Sequence, residues 1–317
     1  MKVIDIIHNA KKTLFTFEIL PPLKGHTIED VYQTIDTLLP YNPAYINITN
    51  HQQEIVYVEH IDGSIERRMM RKRPGTIGLS AAIQHRYNIP VVPHLICGGH
   101  SKDQLEDQLV ELAFLGIDNV LALRGDAMHG ERRFTPSVGG YDHSDQLVKQ
   151  IYDLRNGEYL DDSLKNSKGI EFCVGIAGYP EKHSESPNLE KDIDMLKMKI
   201  DKGAEYIVTQ LFFINDYFYK FVDLCHKHHI DVPIIAGIKP LQKMRDLLLL
   251  PQTFHVEIPN HFVDQIEKAK DASDIRKIGV EYSIKQVEDL LKQQVSGIHF
   301  YTQGKAISVA KVVEATF

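Results

Sequence analysis

The chain has few cysteines and no long apolar run. Its three cysteines, Cys97, Cys173 and Cys225, are an odd number and include no CxxC pair, which is typical of a reducing compartment rather than of a disulfide-stabilised secreted protein. The opening segment MKVIDIIHNAKK is too short and too charged for a secretory signal. No apolar stretch reaches the roughly 18 residues that a membrane span needs. We therefore expect a cytoplasmic protein with no membrane contact.

An excess of basic charge is also absent. The chain has 36 Lys and Arg against 43 Asp and Glu, a net charge of −7, which argues against nonspecific nucleic-acid binding. No GxGxxG opens a helix after a strand, so a dinucleotide cannot be argued from that fingerprint. The 43% hydrophobic and 25% charged content is ordinary for a soluble globular protein. We therefore expect no nucleic-acid partner.

Eight short apolar runs alternate with amphipathic segments along the chain. This alternation predicts an α/β fold in which eight parallel strands and their helices close into a βα barrel of the TIM type, with residues 1–317 as a single domain. The predicted strands are 14–20, 44–49, 90–97, 119–126, 171–180, 206–213, 232–238 and 297–302. The predicted helices are 27–39, 77–87, 102–115, 144–155, 188–202, 215–229, 241–250, 260–270 and 273–294. Ser186 and Pro187 suit the cap and first position of the fifth helix.

Most of the apolar runs end in a polar residue that a packed core does not require. Side chains alternate along a strand, so Phe15, Phe17 and Ile19 would pack outward on helices while Thr16 and Glu18 face the barrel axis. Active sites of such barrels lie at the carboxyl ends of the strands. One shared mouth is therefore predicted, lined by Glu18, Thr49, His94, Arg124, Asp126, Tyr179 and Gln210.

Two other segments invite a functional interpretation. Residues 54–72 alternate around Asp62-Gly63, a hairpin signal, and predict a basic hairpin inserted at about 51–76. The hairpin is either a solvated loop over the mouth or a lid that attracts an anionic substrate tail or cofactor phosphates; its cations are Arg67, Arg68, Arg71, Lys72 and Arg73. The run 225–229, CHKHH, has metal-ligand residue types, but it falls at a predicted helix end distant from the strand mouths. We predict no metal site there.

Five motifs in series resemble the methylenetetrahydrofolate reductases of bacterial type. They are FEILPP (17–22), LRGD (123–126), GYPEKH (178–183), TQLFF (209–213) and HFYT (299–302), and the likeness runs from about Phe15 to Lys305. The resemblance implies a barrel flavoprotein of one-carbon metabolism, expected as a homo-oligomer. It implies two hydride transfers, in which NADH or NADPH reduces FAD and methylenetetrahydrofolate is then reduced to methyltetrahydrofolate. NADH is the expected donor, and polyglutamylated folate is a possible substrate form.

The resemblance implies catalytic roles for two carboxyl groups. Glu18 matches the family's acid, which delivers a proton to the departing folate nitrogen. Asp126 matches an aspartate beside flavin and pterin that stabilises a cationic iminium. The structural alternatives are a Glu18 paired with Lys or Arg, an Asp126 that caps the turn after Gly125, and an Arg124 paired with Asp126.

Further matches imply binding roles. Gln210 would hydrogen-bond the pterin and Lys305 would meet a folate carboxylate. The residues implied to bind FAD are Thr49, His94, Arg124, Gly125, Asp126, Tyr179, His183, Asp192, Met195 and Lys199. Asp192, Met195 and Lys199 share one face of a helix. The structural alternative is that this face is simply exposed and charged, with no ligand.

The sequence also departs from the family. Lys305 stands where an Arg is common, so the charge is kept and the bidentate fork is lost. Met198 stands where some members have a basic residue, and Leu250 stands where some have an aromatic residue. Two other functions stay open: a flavin-free folate methyltransferase on the same barrel, and a non-catalytic regulatory protein that binds folate or flavin.

Overall fold

A computed structural model describes residues 1–128, 131, 133–164 and 167–317. Eight strands pair in parallel and close into a barrel with the order β1-β10-β9-β8-β7-β6-β5-β2. In chain order the strands are β1 (Leu14–Ile19), β2 (Ile46–Ile48), β3 (Glu54–Glu59), β4 (Ile65–Met70), β5 (Val91–Ile96), β6 (Asn119–Leu123), β7 (Cys173–Gly178), β8 (Tyr206–Leu211), β9 (Ile234–Ile238) and β10 (Gly297–Tyr301). Each predicted apolar run contains one barrel strand, so the predicted α/β barrel is confirmed.

Helices surround the barrel. They are α1 (Val3–Asn9), α2 (Ile28–Leu38), α3 (Thr76–Tyr87), α4 (Lys102–Phe114), α5 (Ser144–Arg155), α6 (Leu189–Asp201), α7 (Asn215–Lys227), α8 (Asp246–Phe254), α9 (Asn260–Glu267), α10 (Ala272–Lys292) and α11 (Ala306–Thr316). Over the described ranges, no helix is both long and apolar enough to cross a bilayer. The outward strand residues Phe15, Phe17 and Ile19 are buried against the helices, as their alternation predicts.

Helix α1 fills the amino-terminal end of the barrel. Its Val3 and Ile7 join an apolar cluster inside the barrel with Tyr45 and Leu121. The backbone N–H of Val3 donates to Asn119 Oδ1 at 2.7 Å, which ties the helix to the start of β6. Because α1 occupies this end, we expect a ligand to approach from the carboxyl ends of the strands.

The helices differ from the prediction in four respects. Helices α1 and α11 are absent from the prediction. The helix predicted at 241–250 begins instead at Asp246, because Pro240 interrupts the chain and Asp246 Oδ2 accepts from the backbone N–H groups of Gln242 and Lys243, both at 3.0 Å. Asn188, not Ser186, caps α6, since its Oδ1 accepts from Lys191 N at 2.9 Å.

The inserted hairpin forms as predicted. Strands β3 and β4 pair in antiparallel register around the turn at Asp62-Gly63, where Asp62 Oδ1 accepts from Ser64 N at 3.0 Å. Gly63 has φ +80°, the left-handed conformation that favours glycine in such turns. Arg68 is exposed and pairs with Glu66 at 2.7 Å, which is what a solvated hairpin requires.

The approach of α10 to the barrel gives a stability prediction. A Cβ on Gly279 would lie 1.9 Å from the carbonyl oxygen of Leu241, a backbone atom that cannot move alone. We expect Gly279→Ala to lower the free energy of unfolding by about 1–3 kcal/mol, as overpacking does. Urea unfolding followed by circular dichroism measures the change.

A matched control lies in α3. Gly78 is also helical, and a Cβ there meets nothing within 4 Å. Gly78→Ala should therefore stabilise the protein by about 0.5–1 kcal/mol, the usual helix preference for alanine. If both variants shifted stability in the same favourable direction, the tight contact between α10 and Leu241 would be refuted.

Candidate active site

The polar mouth predicted from the sequence forms at the carboxyl ends of the barrel strands. Six strands contribute the predicted residues at or near their carboxyl ends: β1, β2, β5, β6, β7 and β8. The residues are Glu18, Thr49, Arg124, Asp126, Tyr179 and Gln210, together with His94, which lies within β5 and one layer deeper. Two further strands, β9 and β10, add Lys239 and Tyr301, which were not among the predicted site residues. The carboxylate, amide and cationic groups therefore share one end of the barrel.

Glu18 is a buried carboxyl group without a hydrogen-bond partner. Only 8% of the residue is exposed, and its side chain makes no hydrogen bond or ion pair within the described chain. Burial raises its pKa from 4.5 to about 8, against a smaller opposing effect of the Lys239 charge. Glu18 is therefore protonated at neutral pH. The predicted alternative, a glutamate in a direct pair with Lys or Arg, is not observed among the described residues.

Two tyrosines at the strand ends are influenced by the charges of Glu18 and Asp126. Burial raises the pKa of Tyr301 well above 10, and the charge of Glu18 adds to the shift. Burial also raises the pKa of Tyr179, with Asp126 as the next contributor. Tyr301 is held in place because its hydroxyl donates to the Thr209 carbonyl at 2.7 Å. Glu18 pairs in register with Tyr301, and Asp126 and Tyr179 follow the neighbouring strands β6 and β7, so both carboxyl groups lie at the same end of the barrel.

The segment after β6 turns sharply at Gly125, whose φ is +86°. Gln52 Nε2 donates to the Asp126 carbonyl at 2.6 Å, which fixes the turn, while the exposed Asp126 carboxylate makes no hydrogen bond among the described residues. Arg124 is paired with Glu185, not with Asp126. Its two terminal nitrogens donate to the Glu185 carboxylate at 2.6 and 3.0 Å.

Uncharged polar side chains lie inside the barrel, one layer deeper than the mouth. They are His94, Asn47 and His299. His94 is 7% exposed, and its Nε2 is buried with no partner. Asn47 Nδ2 lies 3.4 Å from His299 Nδ1. Burial lowers the pKa of both His94 and His299 to about 3, so both rings are neutral. His94 thus offers a hydrogen-bonding nitrogen toward the barrel interior.

The ends of β2 and β8 present an alcohol and an amide. Thr49 Oγ1 donates to the Ile19 carbonyl at 3.3 Å. Gln210 Oε1 accepts from the next backbone N–H, of Leu211, at 2.9 Å, and its amide nitrogen has no partner among the described residues. The pairing of β8 with β9 is irregular here, between Val208 and Leu211. Such bulges re-aim side chains beside active sites.

The loop from β7 to α6 forms the rim on one side. Tyr179 and His183 meet edge to face, with ring centroids 4.8 Å apart. Both oxygens of Asp192 hold this loop, because they accept from His183 N at 2.9 Å and Ser186 Oγ at 2.8 Å. In this structure Asp192 positions the loop rather than offering free acceptors.

Two more residues of α6 lie on the same rim. Met195 is 36% exposed. Burial lowers the pKa of Lys199, against the opposing charges of Asp192 and Asp145, and the charge of Arg124 lowers it further. Lys199 and Arg124 therefore form one cationic rim region. Lys305, by contrast, lies across the mouth, exposed at the start of α11, where its charge acts on Lys239 and Lys243.

A cavity of about 870 Å³ lies beside the mouth rather than in it. Residues of α2, α3, α4 and the loop after β1 line it, including Leu23, Ile77 and Asp107. Arg71 of the hairpin segment also lines it, with Nη2 3.5 Å from His100 Nε2. Glu18, Asp126 and Gln210 do not line it. We place the chemistry at the mouth because the perturbed carboxyl group lies there.

Comparisons with known proteins agree with the geometry. The sequence model of the family described as methylenetetrahydrofolate reductase matches residues 2–316. The Schizosaccharomyces pombe protein named methylenetetrahydrofolate reductase 1 is 28% identical over 99% of this chain and 48% of its own length. The Buchnera aphidicola 5,10-methylenetetrahydrofolate reductase is 27% identical over 98% of this chain and 94% of its own. The chain spans about half the length of the first curated relatives it matches.

A solved structure shows the same fold. An uncharacterised Clostridium thermocellum protein, described as binding two copies of 5-methyl-5,6,7,8-tetrahydrofolic acid, superimposes with a TM-score of 0.59. It is 14% identical, and the match covers 98% of this chain and 96% of that protein. At this identity the likeness concerns the barrel alone.

Proposed function

The chain belongs to the methylenetetrahydrofolate reductase family, and we propose that it reduces 5,10-methylenetetrahydrofolate to 5-methyltetrahydrofolate with FAD and a nicotinamide cofactor. The observation that supports this most is the buried Glu18 carboxyl group, which is neutral at pH 7 because its pKa is about 8. A neutral acid at the mouth of a barrel is what opening of the folate ring requires. FAD, when bound, accepts hydride from the nicotinamide and passes it to the folate carbon.

Glu18 is the proton donor in this proposal. The carboxyl proton moves to the departing folate nitrogen while the bond between that nitrogen and the methylene carbon breaks. The electron pair of the bond stays on the nitrogen, and the carbon becomes a cationic iminium. Glu18 is left as a carboxylate. A pKa near the working pH favours an acid that must be protonated at first and give up its proton in the step.

Asp126 and Gln210 hold the other parts of the substrate. Asp126 follows β6 at the mouth, and its negative charge would stabilise the iminium cation electrostatically. No described residue accepts a hydrogen bond from the amide N–H₂ group of Gln210, so this group can donate to an acceptor on the pterin. Lys305 supplies a positive charge for a folate carboxylate, without the bidentate geometry of an arginine.

The residues of the other half of the mouth fit FAD. His94 has a buried Nε2 with no partner, which a polar group of a flavin ring would satisfy. Thr49 and Tyr179 add hydroxyl groups, Gly125 allows a close approach, and Arg124 supplies a donor. On the rim, His183 and Lys199 suit the phosphates, and Met195 is exposed for contact. Asp192 would act through the loop that it holds.

Loss of the Arg124 fork gives a prediction about flavin binding. We expect Arg124→Lys to weaken FAD binding about 10- to 100-fold, because a charge-assisted hydrogen bond contributes about 1.5–3 kcal/mol. Fluorescence titration of the apoprotein with FAD measures the change. Arg68→Lys, on the exposed hairpin, is the matched control and should leave the affinity unaltered. An unchanged affinity in Arg124→Lys would make Arg124 only the partner of Glu185.

Spectroscopy of the flavin tests the proposed function. Protein supplied with FAD should show the oxidised flavin spectrum, lose it with NADH or NADPH under anaerobic conditions, and regain it with methylenetetrahydrofolate. NADH is our proposed donor. Folate binding without any flavin uptake would favour the flavin-free methyltransferase. Flavin and folate binding without turnover would favour the regulatory protein.

A further inference from the structure

Lys239 is a buried lysine with no role in the reaction steps proposed above. It directly follows β9, and only 4% of the residue is exposed. Lysine is almost never fully buried unless it is paired, yet its ammonium group makes no hydrogen bond or ion pair within the described chain. A buried cation without a direct partner is costly. The burial of Lys239 at the mouth therefore indicates a functional role.

The charged groups around Lys239 come from four elements. Glu18 pairs in register with Tyr301 of β10, and Ile238 pairs with Phe300, so Lys239 and Glu18 lie at the same level of the barrel on either side of β10. The charges of Asp246, in the first turn of α8, and of Glu18 favour the charged form of Lys239. Lys243 in the loop after β9 and Lys305 before α11 oppose it. Burial is the largest influence and lowers the pKa of Lys239. Asp246 already caps the loop after β9 through one of its oxygens.

The groups around Glu18 are fewer. Tyr301 faces it from β10, and Asn47 lies opposite it on β2. His299 and His94 lie in the layer below and are neutral. Lys239 is the cation whose charge acts on the carboxyl group. Among the residues described around Glu18, Lys239 is thus the charged neighbour that influences the acidity of its carboxyl group.

We propose that Lys239 is a positioning residue for Glu18, one that acts by stabilising the carboxylate formed when Glu18 gives up its proton. The inference rests on the proposed function. Before the proton moves, the ammonium group faces a neutral carboxyl group and gains little. After it moves, the two buried groups are an ion pair, whose attraction is strong because water is excluded. An interaction that becomes stronger during the proton transfer lowers the activation barrier of that step. It does more than bind the substrate.

Lys239 keeps its own proton throughout. The proton comes from Glu18 and goes to the folate nitrogen, so no proton is transferred between the two side chains. Thr302 Oγ1 donates to the Glu18 carbonyl at 2.7 Å, which fixes the backbone of Glu18 independently of Lys239. Removal of the ammonium charge should therefore change the acidity of Glu18 without moving the strand.

The test follows the protonation of Glu18 directly, without folate or turnover. Infrared difference spectra against the corresponding Glu18→Gln protein isolate the Glu18 carboxyl band across a pH series. In Lys239→Met, which removes the charge and keeps an apolar chain of similar length, the midpoint should rise by about one pH unit or more. In Lys239→Arg it should stay near the wild-type value. Lys243→Met, an exposed lysine in the same loop, is the matched control and should leave it unchanged.

The kinetic counterpart separates this inference from the proposed function. Lys239→Met should slow folate reduction at least about threefold, since a weaker acid transfers its proton more slowly. Reduction of the flavin by the nicotinamide should be unaffected. An unmoved Glu18 midpoint in Lys239→Met would overturn the role of Lys239, even if the wild-type protein reduces folate. Failure of the wild-type protein to reduce folate would refute the function, whatever the infrared midpoints.

Discussion

Replacement of Glu18 by glutamine should separate the two halves of the proposed reaction. Glutamine keeps the shape of the side chain but has no acidic proton to give to the departing nitrogen. We expect reduction of the flavin by NADH to stay within about twofold of wild type, while folate reduction falls by about 10²–10⁴-fold, the usual contribution of a general acid. Anaerobic stopped-flow absorbance measures the two half-reactions separately.

The same experiment contains its own control. The nicotinamide half-reaction needs no proton at the folate nitrogen, so it reports whether the variant is folded and loaded with flavin. If both half-reactions slowed equally, Glu18 would be a structural residue. In the wild-type protein the folate step should also fall as pH rises through about 8, because Glu18 must be protonated to act.

The Glu18→Gln variant should also be more stable than the wild-type protein, and more so as pH rises. The folded-state pKa of Glu18 is raised from 4.5 to about 8, so the native state holds this proton more tightly than the unfolded chain. Between these values the unfolded state binds fewer protons, and stability falls with pH. At pH 7 the raised pKa of Glu18 lowers the free energy of unfolding by about 3 kcal/mol, because one pKa unit corresponds to 1.36 kcal/mol.

The difference between the two proteins isolates Glu18 from other titrating groups. Glu181, whose pKa burial raises to about 7, contributes equally to both. Urea unfolding at matched pH values should give a difference close to zero near pH 4.5 and a stabilisation of about 3 kcal/mol at pH 7. A difference that does not change with pH would show that Glu18 titrates like an exposed glutamate. A stabilising substitution that removes activity is the expected signature of a functional group kept at a cost in stability.

The barrel was predictable because strand burial leaves a strong pattern in the sequence. The eight apolar runs mark the strands, and the alternation in β1 already separates Phe17 from Glu18. Helices were harder at the ends of the chain. Helix α1 is short and packs inside the barrel end rather than on its outside, and α11 follows the last strand with few polar residues. Neither has the two-sided pattern that marks a surface helix.

The site was predictable where a polar residue interrupts an apolar run or falls in a family motif. Tyr301 lies in such a motif, and Lys239 directly follows the strand 232–238, so both carried a signal that could have been used. Glu185 carried none. Its pairing with Arg124 depends on how the loop after β7 folds back over β6, a long-range contact that no local pattern encodes.

The basic hairpin illustrates the same limit. Its strands and turn follow from alternation around Asp62-Gly63, but its cations do not act together. Arg68 pairs with Glu66 on the surface, whereas Arg71 turns toward His100 and the cavity beside the mouth. Its role as a lid for an anionic tail stays a prediction.

A crystal structure of the protein with FAD and a folate tests whether Glu18 is the acid. We expect the departing folate nitrogen to lie about 2.6–3.2 Å from a Glu18 carboxyl oxygen, within hydrogen-bond reach, with the Asp126 carboxylate and the Gln210 amide on the pterin. The cavity lined by α2, α3 and α4 provides the competing outcome. Folate bound in that cavity, with Glu18 facing neither ligand, would contradict the assignment of Glu18 as the acid.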